Sequence, residues 1–195
     1  MRVIVIDDMK ANQDSALELK KDGHTVTVLG TVEEARSYFN RCLSQIALRQ
    51  HRELGRLPQA SMRDIDEGWS LPDVVLTDLW MPAPVTKWEA GCERIFGGNP
   101  YHPEHDTNRT ALIPAGLVLS IKAANLGIRL IAILTDSDHH NDQLVATMDM
   151  LGWDGPPDPY SGIRKFEARY FQKGEGGPKD WVKLLKKITR QRNPS

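Results

Sequence analysis

Short apolar runs alternate with longer amphipathic stretches along this chain, and that alternation sets the fold class. Residues 2–6 (Arg-Val-Ile-Val-Ile) and 74–77 (Val-Val-Leu-Thr) are β-branched and apolar, with no polar face. Such runs predict strands buried on both sides, as in a parallel sheet covered by helices. Residues 128–134 read the same way, and 24–29 alternate as a second strand. The aromatic stretch 168–172 is taken as the fifth strand. Between these runs the apolar residues recur at helical spacing. Residues 12–22 carry Ala16, Leu17 and Leu19 and stop at Gly23. Thr31 with Glu34 three residues on is a capping box, opening a helix that carries Ala35, Tyr38, Phe39, Cys42 and Ile46 towards Leu54. Further helices are expected over 115–126, 141–151 and 179–190, the last turning Trp181, Leu184, Leu185 and Ile188 to the sheet. Five strands alternating with helices predict an α/β protein built on a doubly wound five-stranded parallel sheet.

Three stretches interrupt this rhythm. Residues 55–71, 83–113 and 152–162 are polar or rich in proline and glycine, and are expected to be insertions in loop form. The second leaves the sheet directly after its third strand, where a long loop is suited to a lid or a partner surface. At 195 residues the chain suits a single domain, 1–195, with no output domain attached. The net charge of −1 gives no global field towards nucleic acid or membrane. Cys42 and Cys92 lack metal-ligand spacing, no apolar run reaches membrane length, and the first residues form a strand rather than a signal peptide. The expectation is a cytoplasmic protein.

Chemistry gathers at the strand ends. The first strand runs into Asp7 and Asp8, and the third into Asp78, followed by Leu79-Trp80-Met81-Pro82. Open α/β sheets hold their ligands at this edge. Three carboxylates delivered to one rim repel one another unless a hard cation sits among them, and oxygen ligands suit Mg²⁺. The fourth strand ends at Thr135 and the fifth at Lys173.

Carboxylate pair, carboxylate, threonine and lysine, in that order at successive strand ends, resemble the receiver domain of two-component response regulators. The resemblance spans the framework of nearly the whole chain. It implies the flavodoxin-like strand order 2-1-3-4-5, Asp78 as phosphoacceptor, and Mg²⁺ held by Asp7, Asp8, Asp78 and the backbone carbonyl of Trp80. It further implies that Lys173 and Thr135 meet phosphoryl oxygens, with Thr135 and Tyr170 as the switch pair. Two positions depart from the receiver pattern. Asp136 stands where a small residue is usual, and Gly174 follows Lys173 where proline is common. A fourth carboxylate at the rim should slow an anionic donor.

The resemblance thus implies a stand-alone receiver-like protein that accepts phosphate at Asp78 from a histidine kinase or phosphotransfer protein. It would then change its binding of a downstream protein through the face of helix 4, strand 5 and helix 5, a face through which receivers also form homodimers. The implied activity is at most self-phosphorylation and self-dephosphorylation. Two rivals stand beside it: a docking module of the same fold that makes no use of phosphate, and a Mg²⁺-dependent phosphate-ester hydrolase with His102 or His105 in acid–base work. Within the long insertion, His102, Glu104, His105 and Asp106 are read as a polar loop rather than a zinc site. The basic last helix is read as a solvated face.

Overall fold

The computed structural model describes residues 1–56, 58–84, 110–136, 142–153 and 162–190. Seven strands are found among them: β1 (Arg2–Ile6), β2 (Thr25–Leu29), β3 (Val74–Asp78), β4 (Met81–Pro84), β5 (Thr110–Ile113), β6 (Ile131–Thr135) and β7 (Ile163–Glu167). The helices are α1 (Lys10–Ala16), α2 (Val32–Glu53), α3 (Ala115–Asn125), α4 (Gln143–Met150) and α5 (Trp181–Arg190). Five strands form one parallel sheet in the order β2-β1-β3-β6-β7, while β4 and β5 pair antiparallel beside it. With that hairpin set aside, the sheet has the flavodoxin-like order 2-1-3-4-5.

Every residue of β3 and β6 is buried, because helices cover both faces of the sheet. Alternation decides which side each residue serves. Ile4, Ile6 and Val75 point into a core with Phe39 of α2, Leu119 of α3 and Met148 of α4. Val3, Val5 and Leu76 point the other way, onto Leu19 and onto Trp181 and Leu184 of α5. Thr31 caps α2 by accepting from the Glu34 amide at 3.1 Å, and Glu34 in turn accepts from the Gly30 amide at 2.7 Å.

Three expectations need correction. The fifth strand is Ile163–Glu167, not 168–172; Ala168–Phe171 is a 3₁₀ turn. Arg164 and Lys165 hid the strand, since charged residues seldom occupy a buried one. Both are 6 % exposed; Lys165 pairs with Asp149 of α4, and the Arg164 guanidinium lies 5.0 Å from the Phe166 ring. The insertion 55–71 is not simply a loop. It holds a 3₁₀ helix, Gln59–Asp64, and α2 straps the end of that helix and the turn after it to the body. Gln45 bonds Asp64 O and the Asp66 amide, and Arg49 donates to Asp66 O and Trp69 O. The insertion 83–113 begins and ends in the β4–β5 pair; residues 85–109, with Trp88, His102 and His105, lie outside the described residues, as do most of 152–162. No helix among the described residues is long and apolar enough to cross a membrane.

Candidate functional site

Adjacent parallel strands end at the same edge, so β1 and β3 bring their terminal carboxylates together. Asp7 follows β1 directly and Asp78 closes β3. One oxygen from each of Asp7, Asp8 and Asp78 lies within 4.8 Å of the others. Asp7 is fully buried and Asp78 is 9 % exposed, while Asp8 is half-buried.

A lysine read from the sequence as part of the solvated basic face of the last helix is instead buried ahead of that helix and completes the group. Lys179 Nζ lies 2.8 Å from Asp7 Oδ2 and 2.5 Å from Asp78 Oδ2, in a residue only 4 % exposed. The path of the chain explains the exchange with Lys173. Gln172 and Lys179 form an isolated antiparallel bridge, and Lys173 N donates to Pro178 O at 2.9 Å. Residues 173–178 therefore leave the body and return to it, turning at Gly174 (φ 79°) and Gly176 (φ 67°). Lys173 departs with this excursion and bonds Glu18 Oε2 at 2.5 Å on the flank. Lys179 returns to the place where the first lysine was expected.

Asp7 is saturated. Its Oδ1 accepts from the Met9 amide and from Asn12 Nδ2, and its Oδ2 from Asn12 Nδ2 and Lys179. Asn12 Oδ1 accepts from the Lys179 amide at 2.9 Å, and Ser15 Oγ donates to Lys179 O at 2.6 Å. Trp181 Nε1 donates to Asn12 O, and the Lys179 ammonium sits 5.7 Å from the Trp181 ring centroid.

Burial dominates the electrostatics. It pushes the Asp78 carboxyl up to about 6 even though Lys179 opposes it, and the charges of Asp7 and Asp136 add to the rise. Burial also raises Asp8, against its own backbone amide and with Asp7 contributing. Desolvation pulls Lys179 down, but Asp78 and Asp7 together outweigh it and hold the ammonium above its ordinary value. The sign of the consequence for stability is fixed. A folded value above the ordinary 3.8 favours protonated Asp78, a contribution complete below that ordinary value and lost as pH rises through about 6. In EDTA, raising the pH from about 5 to 7.5 should cost the wild type on the order of 1–1.5 kcal/mol more than Asp78→Asn, read from urea midpoints.

The other expected site residues fall unevenly. Thr135 closes β6, buried, one residue past the partner of Asp78 in register. Trp80 is half-buried two residues beyond Asp78 and packs on the core. Asp136 is exposed next to Thr135. Tyr170 is corrected: it stands on the 3₁₀ turn, 58 % exposed, with the Arg169 guanidinium 4.9 Å from its ring, and not on a strand beside Thr135.

No family model matches the chain, and no curated protein matches it. Among solved structures, the bacteriophytochrome response regulator AtBRR aligns at 16 % identity and a TM-score of 0.40, covering 97 % of this chain and 90 % of that one. A yeast Spc42 trimeric coiled-coil segment fused to another structure aligns at 14 % identity and 0.41, covering 97 % and 76 %. At these scores neither likeness bears on the fold, which rests on the strand order itself.

Proposed function

We propose that the chain is a receiver-like signalling protein that accepts a phosphoryl group at Asp78 from a histidine kinase or phosphotransfer protein. The observation that carries the reading is the ammonium of Lys179 held on Asp7 and Asp78 beside Asp8 at the carboxyl edge of the sheet. Mg²⁺ fits this donor set, since the ligands are all oxygens and three carboxylates against one ammonium leave two negative charges. Asp8, Asp78 and the Trp80 carbonyl would hold it, with Asp7 acting through water because its oxygens are already engaged. Bound there, the ion would offset the charge that builds up when an anionic phosphoryl group meets a carboxylate. An Asp78 oxygen attacks phosphorus as the bond from phosphorus to the donor's nitrogen breaks, and Lys179 moves its ammonium to a phosphoryl oxygen. The Thr135 hydroxyl donates to another. A downstream protein would read the change on the face of α4, β7 and α5.

Incubation with acetyl phosphate and Mg²⁺ should give an acyl phosphate at Asp78, found by mass spectrometry and missing in Asp78→Asn and in EDTA. Repeated turnover of a phosphate ester, lost in Asp78→Asn, would instead establish a hydrolase. A chain that takes no label yet binds its partner would be a docking module.

A further inference from the structure

We propose that Asn12 and Ser15 are positioning residues that hold Lys179 over the carboxylates, so that α1 rather than the sheet sets the geometry of the cation. The proposal rests on the phosphoacceptor reading for its purpose but not for its geometry. A residue at a strand end is fixed by the ladder on either side. Among the described residues Lys179 has a single isolated bridge, to Gln172, and lies two residues before the start of α5. Both polar groups of its backbone are therefore held from α1, with Asn12 taking the amide and Ser15 the carbonyl, across 167 and 164 residues of chain.

The Asn12 amide has one workable orientation. Its oxygen faces an N–H and its nitrogen faces the Asp7 carboxylate, so a flip would set donor against donor. One side chain thus fixes Asp7 and Lys179 relative to each other. Asn12 is 4 % exposed, Ser15 5 % and Lys179 4 %, so water has little access to replace a lost bond. The Ser15 hydroxyl bonds the lysine's backbone and not a carboxylate of the site, which lets the lysine's position be perturbed without altering an acidic group.

The test is reductive methylation of the full chain with formaldehyde and cyanoborohydride, followed residue by residue by mass spectrometry. Lys165, 6 % exposed and paired with Asp149, is the internal reference for general loosening. In Ser15→Ala, Lys179 should be modified about tenfold faster while Lys165 stays as slow as in the wild type. Acetyl phosphate labelling should fall by a similar factor, with Mg²⁺ affinity within about threefold of wild type. Asn12→Ala should release Lys179 and weaken Mg²⁺ as well. Protection of Lys179 unchanged in both variants would overturn the proposal, as would Lys165 and Lys179 losing protection together. A freed Lys179 with unchanged labelling would remove its role in transfer. Lysine protection is read without any phosphodonor. A wild type that never takes label would therefore sink the receiver reading and leave the result on Asn12 and Ser15 standing.

Discussion

Lys179→Met should lower acyl phosphate formation at Asp78 by about 10²–10³-fold, the usual loss when one preorganised charge donor is removed from a transfer site. Lys173→Ala should leave the rate within twofold or so of wild type, because its ammonium meets Glu18 on a solvated flank. The Lys179 change also bears on the fold. Methionine nearly matches the lysine stem in volume but leaves two buried carboxylates with no countercharge, a loss worth about 3–5 kcal/mol at neutral pH. Urea midpoints measured with and without Mg²⁺ separate the two effects, since a bound divalent ion should recover part of the stability but little of the rate. Lys179→Arg keeps the charge in a planar fork and should fold while labelling poorly. Loss of labelling in Lys173→Ala with Lys179→Met active would reverse the assignment of the two lysines.

Gly116→Ala should cost at least about 3 kcal/mol and abolish metal and phosphodonor binding together, through backbone displacement at the site. A Cβ at position 116 would stand 1.9 Å from Asp78 O and 2.9 Å from Leu79 Cα, and both are main-chain atoms. No rotamer change relieves such an overlap, so either α3 or the end of β3 must move. The Gly116 amide also donates to Leu79 O at 3.1 Å, tying the start of α3 to the peptide just past Asp78. Gly23→Ala is the control. That glycine has φ 79° and nothing within 4 Å, so alanine there meets only the left-handed backbone penalty of about 1–2 kcal/mol. Thermal or urea unfolding of the two variants, with Mg²⁺ titration of each, gives the comparison. A Gly116→Ala protein as stable as Gly23→Ala would contradict the close packing of α3 on β3.

The framework was legible where burial and composition agree. β1, β3 and β6 are apolar on both faces because they are covered on both faces, and their terminal carboxylates follow from that assignment. β7 was misread because tertiary contacts overrode composition. Asp149 and the Phe166 ring make Arg164 and Lys165 tolerable inside, whereas the stretch 168–172, with Tyr170 and Phe171, looks more strand-like but forms a turn over Ala168–Phe171. That error carried Lys173 and Tyr170 with it, since both were placed by counting from the end of the wrong strand. Lys179 lies beyond an excursion whose closure depends on one bridge and on two glycines of positive φ, features with no hydrophobic period to reveal them. Asn12 and Ser15 read as ordinary polar positions of an amphipathic helix. Only the return of residue 179 to α1 gives them a task.

The excursion at 173–178 has a bearing on how the chain tolerates changes in length. Its two ends are pinned by Gln172 opposite Lys179, and Lys179 is gripped separately from α1. The number of residues between those ends is thereby uncoupled from the place of the ammonium. A relative with a shorter or longer segment here would keep the same charge at the same spot, and an alignment scored on spacing alone would look for the lysine at the wrong position.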